Sequence, residues 1–211
     1  MQKSRHKEVT DDRDKAILFN FRRCPYAIRA RMALVVAKID FELFDIKLSQ
    51  KPQCFLDISP KGTVPVLVLS KRQGSKIIDE SLDILNWALG QHDPYQWLAE
   101  DDCKQKQQMV EIIDRHFKKY LDRYKYPNRF VKDDLISKEL SQDSLRRALQ
   151  YLEIFEERLS AHTFLFGSKA CWVDVATFAF IRQFHHVDKS CLSQYGFEKT
   201  KKWLETILAW P

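Results

Sequence analysis

The sequence predicts an α/β N-terminal domain with strand and helix order βαβ then ββα, followed by an all-α helical C-terminal domain. Two observations carry this. The first third of the chain alternates short apolar runs with helical patterns, and almost everything after residue 98 reads as helix. Between them "QHDPYQW" (91–97) places the helix-breaking Pro94 in a polar segment, which serves as the linker. The boundaries that follow are a lead-in over 1–15, one domain over 16–91 and a second over 98–211.

The lead-in "MQKSRHKEVTDDRDK" is charged throughout and has no apolar h-region, so it is expected to be a mobile extension, neither a secretory leader nor a transit peptide. "AILFNF" (16–21) is a strand-length apolar run, and Pro25 stands at a favoured first helical position before a helical stretch that continues to Lys38. "FELFDI" (41–46) alternates and reads as a second strand, which makes the first thirty residues of the domain a right-handed βαβ crossover with parallel pairing. A short helix is expected around 52–58. "VPVLVLSKRQGSKIID" holds two β-rich runs around a Gly-containing turn, a hairpin, and "ESLDILNWALG" is a helix ending at Gly90. In the second domain, "EDDCKQKQQMVEIIDRHFKKYLDRY" and "KDDLISKELSQDSLRRALQYLEIFEERLSA" have the period and length of bundle helices. "WVDVATFAFIRQFHHV" is apolar nearly all round and should be the central buried helix, and "FEKTKKWLETILAW" is amphipathic.

The 211 residues are 45% apolar and 30% charged, the composition of an ordinary soluble globular protein. Cysteines at 24, 54, 103, 171 and 191 are odd in number and widely spaced, which spells neither a disulfide framework nor a paired zinc site. A reducing, cytoplasmic setting is expected, and no apolar run approaches the ~18 residues of a membrane span. The net charge is +6, but 35 basic and 29 acidic residues are interleaved along the chain. That pattern argues for a solvated surface, with no nucleic-acid or membrane partner.

The chemistry-bearing stretch is "FRRCPYAIRAR" (21–31), with one cysteine, one proline and four arginines. Cys24 falls where the first strand ends and the first helix begins, so its thiol faces unpaired N–H groups and the positive end of the helix dipole, which favour a thiolate. Arg22 and Arg23 add positive charge beside it, while Arg29 and Arg31 lie more than a helical turn away on different sides. The residues alone also permit a buried spacer cysteine beside a solvated basic face.

"RRCPYAIRARMAL", then "KP" at 51–52, "TVPVL" at 63–67 and "DES" at 79–81, in this order, resembles the cytosolic glutathione transferase superfamily, and within it the cysteine-type, omega-like members and their bacterial glutaredoxin-like relatives. The resemblance runs from about residue 16 to the end of the chain. It implies a thioredoxin-like N-terminal domain, an all-helical C-terminal domain, glutathione as co-substrate, and a homodimer. It also implies site roles: Cys24 as catalytic nucleophile with Tyr26 flanking it, Val64 and a cis Pro65 pairing like a strand with the cysteinyl unit of glutathione, Lys51 on the glycyl carboxylate, and Glu80 with Ser81 on the γ-glutamyl end. From sequence alone Pro65 would be trans, since only about 5–6% of X-Pro bonds in folded proteins are cis. "DESLD" equally suits an ordinary capped helix start.

Ala27 stands where a dithiol glutaredoxin has its resolving cysteine, so a mixed disulfide on Cys24 must be resolved by a second glutathione. "GSKACWVD" resembles the family's helix-capping motif with Cys171 in the Ser/Thr position and Asp174 in the expected one; a thiol caps poorly, at a cost of about 1 kcal/mol. His116, Phe117, Tyr120 and Tyr124 form a helical stripe. His116 and Tyr120, with Arg182 on an otherwise apolar helix, are candidates for an acceptor pocket, although such a stripe is more often core or dimer contact. His185, His186 and Cys191 lack a fourth ligand, and adjacent histidines diverge, so no metal is expected. The function expected from these residues is a glutathione-dependent thiol transferase or reductase working on glutathionyl mixed disulfides or adducts. Its alternatives are conjugation to electrophiles or dehydroascorbate reduction in the same site, and a non-catalytic interaction module of the stringent starvation protein A type.

Overall fold

The computed structural model of the protein describes residues 15–98 and 103–210. Residues 1–14 of the expected lead-in lie outside the described residues, as do residues 99–102. The chain divides into two compact units, Met1–Ala99 and Glu100–Pro211.

The first unit is a four-stranded sheet with three helices. Its strands are β1 (Ala16–Asn20), β2 (Phe41–Asp45), β3 (Val66–Val68) and β4 (Ile77–Ile78), and its helices are α1 (Pro25–Val36), α2 (Gln53–Ile58) and α3 (Ser81–Gln91). The sheet order is β2-β1-β3-β4; β2 runs parallel to β1, β3 antiparallel to β1, and β4 antiparallel to β3. Strand β1 is buried along its whole length, as a central strand covered on both faces must be. Its alternate residues build two cores. Ala16 and Leu18 pack with Ala30 and Leu34 of α1 and Ile84 and Ala88 of α3. Ile17 and Phe19 pack with Phe55 of α2 and with Val66 and Val68. Because side chains alternate with period two, a slip of one residue would exchange these sets, and the register Leu18 opposite Leu67 is thereby fixed.

Two details depart from the sequence-based expectation. Helix α3 passes through Gly90 and ends one residue later, with His92 turning extended at φ −156°, ψ 115°. Gly90 is therefore not a left-handed cap; the exit is held by the His92 N–H on Ala88 and by a contact of the His92 ring Nδ1 with the Ala37 carbonyl oxygen, each at 3.1 Å. The hairpin strands are also short, because a 3-10 turn over Lys71–Gln73 and Gly74 at φ 96° take up much of the segment between them.

The second unit is helical. A continuous rod runs from α4 (Cys103–Glu111) through a π-helical segment (Ile112–Phe117) into α5 (Lys118–Lys125), followed by α6 (Asp134–Ala161), α7 (Trp172–His185), α8 (Cys191–Gln194) and α9 (Glu198–Leu208). Helix α7 is the core of the unit: every residue from Val173 to Ile181, and Phe184, is buried. Its first turn meets three donors at Asp174, whose carboxylate accepts from the Cys171 N–H (2.9 Å), the Leu165 N–H (3.1 Å) and the Trp203 Nε1–H (2.7 Å). The Cys171 thiol faces the backbone N–H of Asp174 in a reciprocal capping box, so the carboxylate half supplies the strong bonds and the sulfur the weak one. Glu156 of α6 closes the start of α9 by accepting from the Lys199 and Thr200 N–H groups, both at 2.8 Å. Among the described residues, no helix is long and apolar enough to cross a membrane.

Candidate active site at the start of the first helix

After β1 the chain tightens, with the Cys24 N–H bonded to the Phe21 carbonyl at 2.9 Å, and Cys24 itself stays extended at φ −74°, ψ 123°. It is the N-cap of α1, and Pro25 fills the first helical position with its ring where an N–H would have been unpaired. The half-buried thiol packs on the core face formed by Phe19, Phe55 and Val64. Its Sγ lies 3.6 Å from the carbonyl oxygen of Val64, to which it donates. The Val64–Pro65 bond is cis. Position at the N-terminus of a helix places the sulfur near unpaired N–H groups and a partial positive charge. The buried thiols of the second unit stand in contrast: desolvation pushes Cys171 up to about 12 and Cys191 up to about 11, where neither ionises at neutral pH. Asn20, the other polar residue at the end of β1, is tied to Asp45 at 2.6 Å.

The four arginines separate. Arg22 and Arg23 are exposed; the Arg23 guanidinium lies over the Phe21 ring, 5.7 Å from its centroid, and the Arg22 carbonyl accepts from Arg31 at 3.1 Å. Arg29 is fully buried and donates to the Ser81 hydroxyl at 3.1 Å, with the Tyr26 ring 5.6 Å from its guanidinium carbon.

Lys51, exposed in the loop before α2, extends past Gly62, where an added Cβ would stand 3.2 Å from its Nζ. Gly62 has φ +60° and comes two residues before Val64, so the ammonium is held beside the cis turn. Glu80 is the N-cap of α3 and Ser81 its first residue. Glu80 is exposed and accepts from Lys61 at 3.0 Å, and Lys61 also pairs with Asp79 at 3.0 Å. These hydrogen bonds, the one to Glu80 foremost, hold the Lys61 ammonium above the ordinary lysine value. The first unit thus gathers Cys24 with Val64, Lys51 beside the same turn, and Glu80 with Ser81 at the head of α3.

Two residues of this neighbourhood, Arg29 and Lys61, escape a reading of the sequence. The only signal for Arg29 is its place between Ile28 and Ala30 in a helix that buries both neighbours; for Lys61, in "SPKGTVP", there is none.

In the second unit the candidate residues do not share one face. His116 and Tyr120 both stack against the Tyr151 ring of α6, each at 6.0 Å between centroids. Phe117 and Tyr124 turn instead to Phe184 of α7, at 5.7 and 5.5 Å. Burial pushes the Tyr124 phenol up to about 12. Arg182 precedes Phe184 by two residues, about 200° around the helix, and projects away from the face that meets Phe117 and Tyr124.

Comparison with known proteins agrees with this fold. The family models described as "Glutathione S-transferase, N-terminal domain" and "Glutathione S-transferase, C-terminal domain" match residues 18–96 and 92–211. The chain is 28% identical over 155 residues to "Glutathione S-transferase DHAR2" of Arabidopsis thaliana, covering 72% of this chain and 63% of that protein. It is 27% identical over 193 residues to "Glutathione S-transferase omega-1" of Mus musculus, covering 90% of this chain and 75% of that one. The chain spans less than two thirds of the length of several such relatives, 40% in one. A glutathione transferase family member from Pseudomonas fluorescens, solved with two glutathione bound, superposes with a TM-score of 0.79 at 16% identity over 93% of this chain and 89% of that one, and so shares its fold. With both family models matched end to end across a strand-and-helix unit and a helical unit, the chain belongs to the cytosolic glutathione transferase superfamily.

Proposed function

We propose that the protein is a glutathione-dependent thiol transferase or reductase in which Cys24 is the nucleophile. The observation that carries this reading is the pairing of Cys24 Sγ, at the N-cap of α1, with the carbonyl of Val64 on the cis turn. A glutathione whose cysteinyl backbone pairs with Val64 as an added strand has its sulfur delivered beside the Cys24 sulfur.

The Cys24 thiolate attacks the glutathionyl sulfur of a mixed disulfide. A new Cys24–glutathione disulfide forms, and the acceptor leaves as a thiolate that takes up a proton. A second glutathione thiolate attacks the bound glutathionyl sulfur, releases glutathione disulfide and restores the Cys24 thiolate. Val64 orients the tripeptide through its backbone, Lys51 neutralises the glycyl carboxylate, Ser81 and the first N–H groups of α3 take the γ-glutamyl carboxylate, and Glu80 takes its ammonium. In this reading Tyr26, two residues after Cys24, flanks the thiol.

Cys24→Ser tests the mechanism on glutathionylated peptides. A hydroxyl forms no disulfide, so transfer should vanish while retention on immobilised glutathione persists; full activity in the variant would overturn the reading. Dehydroascorbate reduction is the second reading, favoured by the similarity to the Arabidopsis protein over most of this chain. It reuses Cys24 and the same pocket, and turnover on dehydroascorbate against mixed disulfides and aromatic electrophiles ranks the reactions. An interaction module without turnover would give no retention on glutathione.

A further inference from the structure

Arg29 is fully buried, yet a guanidinium in a protein interior is tolerated only when its donors are met. One of them goes to the Ser81 hydroxyl oxygen at 3.1 Å, from a position five residues after Cys24 to the first residue of α3. A serine hydroxyl has one proton to give and two lone pairs. With a lone pair filled from the buried side by a charged donor, the remaining proton is the group's only means of donating, and the charge behind it polarises that O–H. Ser81 itself is 5% exposed, so little water competes for the bond.

We propose that Arg29 is a positioning residue that aims the Ser81 hydroxyl as a donor to the γ-glutamyl carboxylate of glutathione, linking the helix that carries Cys24 to the carboxylate subsite. This rests on glutathione occupying the site as described above. Arg29 does not touch the ligand in this scheme; it acts through Ser81 and adds a full positive charge behind the partial one of the α3 N-terminus. A purely structural clamp between α1 and α3 makes a different prediction, because loosening it would weaken every ligand of the site alike.

The test measures dissociation constants by calorimetry for glutathione and for γ-aminobutyryl-cysteinylglycine, which lacks only the γ-glutamyl α-carboxylate. Binding of glutathione by the wild type checks the underlying reading first; a wild type that binds neither tripeptide overturns that reading and with it this proposal. Arg29→Met should weaken glutathione about tenfold and the carboxylate-free tripeptide less than about twofold. In a Ser81→Ala background the same substitution should add less than about twofold for glutathione, since the route through Ser81 is gone. Arg29→Lys, which keeps the charge but not the guanidinium's geometry, carries the same comparison if Arg29→Met does not fold, with an expected loss of about threefold for glutathione alone. Equal weakening of both tripeptides, or independent multiplication of the Arg29 and Ser81 effects, overturns the proposal.

Discussion

Cys24 Sγ and the Val64 carbonyl oxygen lie 3.6 Å apart, joining the start of α1 to the cis turn across forty residues of sequence. The contact leaves the Cys24 thiol half-buried, whereas Cys171 and Cys191 are enclosed and held at about 12 and about 11 by desolvation. At pH 8 their thiolate fractions are of order one in ten thousand and one in a thousand. Iodoacetamide applied to the folded protein at that pH should therefore label Cys24 while sparing Cys171 and Cys191, as read by peptide mass spectrometry over time. Labelling of either buried thiol at the Cys24 rate would contradict the burial on which the selectivity rests.

Gly62→Ala brings two effects together at the cis turn. An L-residue at φ +60° costs about 1–2 kcal/mol, and its Cβ would stand 3.2 Å from both Leu56 Cδ2 and Lys51 Nζ. Lys51 must give way, because its flexible chain moves more easily than the packed leucine. Urea unfolding should show a loss of about 1–2 kcal/mol, and affinity for glutathione should fall beyond that for a tripeptide with an amidated glycyl end. A variant that loses stability but binds both tripeptides as before would remove Lys51 from the glycyl subsite.

The order of strands and helices was legible in the sequence because each element carries its own period: alternation in "FELFD", apolar runs in "AILFN", and uniform apolarity in α7. Cys24 was legible for the same local reason, a thiol directly before a proline at a strand end. The cis Val64–Pro65 bond was not, since a proline after valine favours trans in isolation and only the resemblance reversed that expectation. The burial of Arg29 was not legible, because its partner Ser81 stands fifty-two positions away and no local pattern encodes such a pairing. The π-helical segment Ile112–Phe117 was invisible likewise: one widened turn inside a longer helix leaves the overall helical period of the sequence little changed. His116 and Tyr120, assigned by spacing to one face with Phe117 and Tyr124, meet Tyr151 while the other two meet Phe184.

Asp174 sets a pH dependence whose sign can be worked out. Burial holds its carboxyl above the ordinary 3.8, against the pull of its hydrogen-bond donors. Between 3.8 and the raised folded value, the folded chain binds more protons than the unfolded one, so the Asp174 contribution to stability grows as pH falls and shrinks as pH rises. Asp174→Asn abolishes this titration and turns an amide N–H2 toward donors from Cys171, Leu165 and Trp203, at a cost of about 1–3 kcal/mol at pH 7. In urea unfolding at stepped pH, the gap between wild type and variant should widen as pH is lowered through that window. A gap that narrows would mean that the donors outweigh desolvation.

In the proposed mechanism Ala27 is the residue through which the site depends on a second glutathione, and Ala27→Cys tests that dependence. It lies on α1, fully buried, three residues after Cys24. In helical geometry the two Cα atoms are about 5 Å apart, inside the range that a disulfide spans. After incubation with glutathione disulfide, the wild type should carry one glutathione on Cys24. In the variant, the new thiolate should attack Cys24 Sγ, expel glutathione thiolate, and leave an internal disulfide with no added mass beyond the substitution, two hydrogens lighter than the reduced form. Overpacking by the added sulfur costs about 1–3 kcal/mol, which thermal unfolding of the reduced variant would register without abolishing the fold. Intact-mass spectrometry decides the matter: a variant that stays fully glutathionylated on Cys24 shows that position 27 cannot reach the thiol, and that alanine there is not what commits the enzyme to glutathione for resolution.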